Sequence, residues 1–146
     1  MKIVIMKINI RRTNDKAKIP TKGSEGAAGF DLYSIEDTAI WKGHTQLIRT
    51  GISIAIPEGY EGQVRSRSGC AKSGLVVANS PGTIDCDYRG EVGVLLHNQG
   101  RYNAIIRAGE RVAQLVIQAV PSVTLHEVSD LTITPRGSGG FGSTGV

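Results

Sequence analysis

Apolar and polar positions alternate along most of this chain with a period of two. Ile52, Ile54 and Ile56 alternate with Ser53 and Ala55 before the Pro57–Glu58–Gly59 turn. Val92, Val94 and Leu96 repeat the pattern, followed by Val112, Gln114 and Val116, and Val123 and Leu125 begin another short run. The N-terminal stretch MKIVIMKINIRR alternates in the same way and reads as a first strand. Residues two apart on an extended segment share a face, so each run predicts a half-buried strand. Turn signals at Glu58–Gly59, Asn98–Gln99–Gly100 and Ala108–Gly109 separate the runs. Many short strands between such turns indicate an all-β barrel or sandwich. One brief helix is predicted around Cys70 to Ala78, with Ser68 as its cap and Gly74 weakening it.

With 146 residues the chain has the length of one domain and can bury a core. Its 19 glycines are nearly double the background of roughly 7%, which adds turns and close backbone approaches to the picture. No apolar run reaches the ~18–20 residues that span a bilayer, and the alternating N-terminus has no signal-peptide core. A cytoplasmic protein is expected, without a membrane partner. Cys70 and Cys86 make neither a disulfide framework nor a CxxC pair, and His44, His97 and His126 lack zinc-ligand spacing. The net charge of +4 comes from 17 dispersed basic residues rather than a tract, and suits a polyphosphate substrate as well as nucleic acid.

The candidate chemistry concentrates in GTIDCDYRGEVGV at 82–94. Asp85 and Asp87 lie two apart there, beside Tyr88 and Arg89 and between turn glycines. A carboxylate presented next to an aromatic plate suits water activation beside a small ring, although Asp and Gly are also what a plain hairpin turn requires. The C-terminus has a different character. From Pro135 it reads PRGSGGFGSTGV, with five glycines and one phenylalanine in residues 137–145. It divides the chain into a body at 1–134 and a mobile Gly-rich flap at 135–146. Glycines let backbone N–H groups approach phosphate oxygens, Arg136 supplies a forked cation, and Phe141 offers a lid for a ring. A disordered terminus is the plain alternative, against which a phenylalanine among glycines is an odd choice.

Five segments fall in order: AAGFDLYS at 27–34, PEGYEGQVRSRSGCA at 57–71, NSPGTIDCDYRGEVGV at 79–94, GERVAQLVI at 109–117 and RGSGGFGSTG at 136–145. In that order and spacing they closely resemble the five signature motifs of the trimeric deoxyuridine triphosphatases (dUTPases), over nearly the whole chain. The resemblance implies a jelly-roll-like β-clip protomer and a homotrimer with active sites shared between subunits. It implies hydrolysis of dUTP to dUMP and pyrophosphate with Mg²⁺, which keeps uracil out of DNA and supplies dUMP for thymidylate synthesis. Two departures are small: Cys70 stands where many relatives have an apolar residue, and Phe30 where tyrosine is common.

Residue roles follow from the same resemblance. Asp85 matches the general base for the attacking water; by chemistry alone Asp87 competes with it. Tyr88 matches the ring that packs under deoxyribose and rejects ribonucleotides, with a half-buried core tyrosine as the alternative. Asn79, Gly82, Thr83, Ile84 and Gly93 match the uracil pocket, where close backbone approach excludes a 5-methyl group. Arg67, Ser68 and Gly69 match the phosphate-binding segment, Ser68 polarising the leaving group and a helix dipole adding to it. Gln114 matches a position near the phosphates and is equally compatible with a solvent-facing strand site. In the tail, Arg136, Phe141 and Gly142 match the closing motif. Asp31 matches a carboxylate near the waters of Mg²⁺, an ion held mainly by substrate phosphates.

Two rival readings remain. The dCTP deaminases share the fold, but the position that aligns with their catalytic glutamate is Leu95, so the proton shuttle is missing. A non-enzymatic nucleotide or nucleic-acid binding module would need stacking aromatics along a basic groove. Trp41, two phenylalanines and four tyrosines, not interleaved with basic residues, do not supply one, so direct nucleic-acid binding is not expected.

Overall fold

A computed structural model describes residues 5–145; the part of the expected first strand at 1–4 lies outside them. The described chain forms β1 (Asn9–Arg12), β2 (Phe30–Tyr33), β3 (Thr38–Ile40), β4 (Thr45–Arg49), β5 (Ile52–Ala55) and β6 (Tyr60–Arg65). It continues through α1 (Ser68–Lys72), β7 (Leu75–Val77), β8 (Gly82–Ile84), β9 (Gly93–Asn98), β10 (Ala104–Ile106) and β11 (Arg111–Ala119). The strands pair as β2-β11-β6-β8, β4-β9-β7, β1-β5 and β10-β3, all antiparallel. No sheet closes on itself, so the arrangement is a jelly-roll-like sandwich and not a barrel.

Period two holds best on β9, where Val94, Leu96 and Asn98 are buried between Leu95 and His97. These join Leu32, Ile40, Ile48, Ile52, Val92 and Val112 as the most completely buried side chains. On β5 the expected alternation fails because Ser53 is buried with Ile52 and Ile54. It fails on β11 for another reason. The register against β2 slips between Arg111 and Ala113, a bulge that buries Val112 and Ala113 in succession, and beyond it Leu115 and Val116 are again both buried. Ala113 and Leu115 then face inward, and Gln114 lies opposite both Asp31 on β2 and Arg65 on β6.

Two other expectations are corrected. The helix is shorter and earlier than 70–78: it starts at Ser68 and stops at Lys72, and Arg67, not Ser68, is its N-cap residue, with no side-chain cap bond. Gly74 ends it with φ +90, in a place where a Cβ would lie 2.6 Å from Gly100 Cα. The apolar run Leu75–Val77 is claimed instead by pairing with β9. The strand expected at Val123 and Leu125 is absent. Those side chains are 75% and 96% exposed, and none of the described strands pairs with them.

Asn98 is 1% exposed and ties three segments together. Its Nδ2 donates to the carbonyls of Ile40 and Tyr102, each at 2.9 Å, and its Oδ1 accepts from Gly100 N–H at 2.9 Å. Asn98→Ala orphans the buried Ile40 carbonyl and two partly buried groups. A loss of roughly 2–4 kcal/mol in unfolding free energy is expected in denaturant titration, a fully buried orphaned group costing about 1–3 kcal/mol and the partly solvated ones less.

Candidate active site

Loop 85–92 carries the chain from β8 in one sheet to β9 in another, and lines a cavity of about 420 Å³. Asn79, Gly82, Thr83, Ile84, Asp85, Tyr88 and Gly93 all line it, so the expected base-pocket residues, the carboxylate and the aromatic plate share one space. Leu47, Val64, Val92 and Leu95 supply apolar wall, and Arg49 and Glu91 charged wall. The glycines are there for space: a Cβ on Gly93 would lie 2.6 Å from Leu47 Cδ1, and one on Gly82 would lie 3.3 Å from both Asn79 Nδ2 and Val64 Cβ. Leu95 is aliphatic where a deaminase would need a carboxylate.

Asp85 is solvent-exposed and, among the described residues, forms no ion pair, which leaves its oxygens open to water. Asp87 does not line this cavity; it lines a second opening, beside Glu58 and Tyr60, which Asp85 borders as well. Tyr88 lies outside the hydrophobic core and is 45% exposed. Its hydroxyl donates to the Glu91 carbonyl at 2.9 Å, and it passes close over Gly90, where a Cβ would lie 2.4 Å from the hydroxyl oxygen and 2.6 Å from Cζ. Sequence reasoning passed over Glu91, although the residue stands inside the segment that drew attention. Its carboxylate accepts from Arg49 Nε and Nη2 and from Gly51 N–H. Burial pushes the Glu91 carboxyl up, but the bonds from Arg49 and Gly51 outweigh it and hold the group below the usual carboxylate range. Its stabilising contribution is therefore full above that range and lost as pH falls through the lowered value.

Arg67, Ser68 and Gly69 lie elsewhere. Arg67 and Gly69 line an opening with Tyr33, Cys70 and Arg111 that shares no lining residue with the first cavity. Arg67 Nε donates to Asp31 Oδ1 at 2.8 Å, and Arg111 Nη1 lies 3.7 Å from Asp31 Oδ2. Burial draws the Arg67 pKa down, and the hydrogen bond and charge of Asp31 more than reverse this, leaving it raised. Gln114 does not point to solvent: its Nε2 donates to the Ser66 carbonyl at 3.0 Å, while Ser66 Oγ accepts from Val77 N–H at 2.8 Å. Gln114 thus steadies the turn that delivers Arg67. Ser68 and Gly69 are exposed, and a helix of five residues sums little macrodipole, so the expected dipole assistance is small. Arg111, also missed, was legible as the arginine of GERVAQ.

Arg136, Phe141 and Gly142 line neither opening. Arg136 Nε donates to Gly139 O at 2.8 Å, folding the tail on itself, and Phe141 stands fully exposed with φ +50. Among the described residues, no three His, Cys, Asp or Glu group as a metal cage, and no helix is long and apolar enough to cross a membrane.

The dUTPase family model matches residues 15–145. The chain is 51% identical to the deoxyuridine 5'-triphosphate nucleotidohydrolase of Nautilia profundicola, over 96% of this chain and 99% of that protein. It is 46% identical to the enzyme of the same name from Clostridium novyi, over 97% and 100%. Among solved structures, the Staphylococcus bacteriophage 80alpha dUTPase with dUpNHpp superposes with a TM-score of 0.89 at 28% identity, over 96% of this chain and 99% of that one. A dUTPase mutant from phage phi11 of S. aureus, solved to show the coordination of a structural Mg(II) ion, superposes with a TM-score of 0.80 at 25% identity, over 86% and 99%. Motif order, fold and full-length similarity converge: this chain belongs to the dUTPase family.

Proposed function

We propose that this enzyme, which hydrolyses dUTP to dUMP and pyrophosphate, does so in sites built jointly by the protomers of a homotrimer. The observation that carries the reading is the separation of its two half-sites. Asp85, Tyr88 and the uracil-pocket residues line one opening, Arg67 and Gly69 line another, and the tail residues line neither. Among the described residues, neither opening is lined both by the base-side residues and by Arg67. The segment after β11 supports assembly independently. Val123, Leu125, Val128, Leu131 and Ile133 are all more than half exposed, an apolar row with unpaired backbone that a second copy of the chain would cover.

In the first opening, Asp85 takes a proton from the attacking water as that oxygen bonds to the α-phosphorus and the bond to the departing pyrophosphate breaks. Tyr88 lies against the deoxyribose and leaves no space for a 2′-hydroxyl. Backbone groups of Gly82 to Ile84 and of Gly93 meet the uracil edge, with Asn79 and Thr83 beside them, and the Leu47 wall against Gly93 limits the size of the ring. From another protomer, Arg67 supplies a forked cation for the phosphates while Ser68 and Gly69 N–H face the leaving oxygen. Gln114 acts by holding the turn in front of Arg67.

Mg²⁺ fits this donor set as an ion carried chiefly by substrate phosphates. Asp31 is the carboxylate at the phosphate-binding arginines, and its oxygens have lone pairs left for the ion's waters. When bound, the ion neutralises charge on the polyphosphate. Such an enzyme would work in the cytoplasm, where free nucleotides are its substrates.

Asp85→Asn should abolish pyrophosphate release from dUTP while leaving dUTP affinity by calorimetry nearly unchanged, since a general base contributes about 10²–10⁴-fold. Normal turnover in Asp85→Asn with an inactive Asp87→Asn would reassign the base. Light scattering of the active protein should return a trimeric mass; a monomer of full activity would refute shared sites. Truncation before Arg136 should leave melting temperature and uracil recognition intact and depress turnover. Within that tail, Arg136→Ala should cost turnover more than dUMP affinity, because the arginine serves the phosphates that dUMP lacks. Unchanged kinetics after truncation would reduce the tail to a spectator.

A further inference from the structure

Loop 85–92 carries both Asp85 and Tyr88, yet among the described residues a single side chain in it, Glu91, hydrogen-bonds outside the loop. Tyr88 and Arg89 donate only to carbonyls of the loop itself. The Glu91 carboxylate accepts a fork from Arg49, Nε at 3.3 Å and Nη2 at 3.0 Å, and a third bond from Gly51 N–H at 3.0 Å. Its backbone carbonyl meanwhile accepts the Tyr88 hydroxyl. One residue is therefore joined outward to the β4–β5 turn and inward to the aromatic plate.

The outward anchor is rigid. Gly51 is buried at φ +67, and its α-carbon is enclosed so closely that a Cβ would lie 3.0 Å from Ala17 Cβ and Asn14 Cβ and 3.1 Å from Ile35 Cγ2. The neighbouring Thr50 hydroxyl donates to Val92 O, and Val92 N–H donates to Ile52 O at 2.8 Å, so the loop is also fastened just beyond Glu91. A planar guanidinium against a carboxylate fixes orientation as well as distance. Arg49 and Glu91 both line the cavity that holds Asp85 and Tyr88. Taking the carboxylate away leaves the Gly51 N–H without its acceptor and the Arg49 cation without its partner beside the substrate.

We propose that Glu91 is a positioning residue for dUTP hydrolysis, holding loop 85–92 on the β4–β5 turn so that the Tyr88 ring and the Asp85 carboxylate face the cavity together. This rests on the assignment of Asp85 and Tyr88 to the site. It has a consequence that a purely structural ion pair lacks. Tyr88 excludes ribose by occupying space, so a ring released from its tether should admit a 2′-hydroxyl more readily, and sugar discrimination should fall along with rate.

The experiment compares Glu91→Ala, Glu91→Gln and Arg49→Met with Asp85→Asn and Tyr88→Ala. Each is assayed for pyrophosphate release from dUTP and from UTP, with thermal melting to verify folding. Glu91→Ala is expected to lower kcat/KM for dUTP about 10- to 100-fold, the scale of a misplaced reacting group, and to reduce the preference for dUTP over UTP. Glu91→Gln keeps one acceptor oxygen and should recover part of both. Arg49→Met should shift the preference in the same direction and add little to Glu91→Ala, because the two act through one contact. If Glu91→Ala does not fold, the Gln and Met variants decide alone. Wild-type preference and kcat/KM in the folded variants would overturn the proposal while Asp85→Asn is inactive and Tyr88→Ala loses discrimination. If Asp85→Asn instead turns over normally and Tyr88→Ala still discriminates, the site assignment itself falls and the proposal falls with it.

Discussion

The placement of Asp85 and Tyr88 at their opening depends on one docking contact, that of loop 85–92 on the Thr50–Gly51 turn. Loops that carry catalytic groups lie at the surface and have few apolar contacts of their own, so their geometry must come from the scaffold beneath. Here the scaffold offers a buried hydroxyl for Val92 O, the Ile52 carbonyl for Val92 N–H, and the Gly51 N–H with the Arg49 fork for Glu91. Gly51 can serve as a fixed donor because its left-handed backbone is enclosed by Ala17, Asn14 and Ile35, which makes the turn part of the core. The precision of an exposed loop is thus inherited from a buried glycine.

The phosphate side is organised by a different constraint, the bulge in β11. By burying Val112 and Ala113 in succession it sets Gln114 opposite Asp31 and Arg65 across two neighbouring strands. Asp31 can then hold Arg67 while Gln114 holds the Ser66 carbonyl, and the segment that follows β6 is steadied from both sides. Without the slip in register, Gln114 would take the phase of Val112, and the amide would be directed into the core. Asp31 acts here as an organiser of arginines. That role is compatible with a cation carried by the substrate, since fixed positive charge and a single carboxylate suit a ligand that brings its own anionic oxygens.

Much of this was legible in the sequence, for identifiable reasons. Residues 79–94 run through β8 and loop 85–92 into β9, so chain proximity and spatial proximity coincide, and Asn79, Gly82, Asp85 and Tyr88 line one cavity. Alternation on β9 and β5 located strands, though not the second covered face that buries Ser53. The bulge was invisible because period two carries no record of a slipped register. The helix was misplaced because Leu75–Val77 is an apolar run whose fate is decided by pairing with β9, a contact far away in sequence. Glu91, Arg49 and Arg111 went unremarked for a similar reason: a charged residue beside a motif acquires meaning only through the partner the fold brings to it.

The failed strand at Val123 and Leu125 carries the most information about assembly. The Val, Leu and Ile positions between 123 and 133, two or three residues apart, have the composition of a strand, yet in one chain they remain exposed and unpaired. Backbone groups and apolar side chains in such a row are both satisfied when another sheet edge is supplied. A partner chain that accepts this arm would also carry the glycine tail beyond it to a neighbouring protomer. Glycine is the suitable residue for that last step: it lets the backbone follow a polyphosphate closely, and it leaves the tail too poor in apolar surface to bind firmly without one. If the tail closes over the site as proposed, the entropy lost on ordering it is offset only by contacts to the phosphates, and closure is then conditional on the substrate.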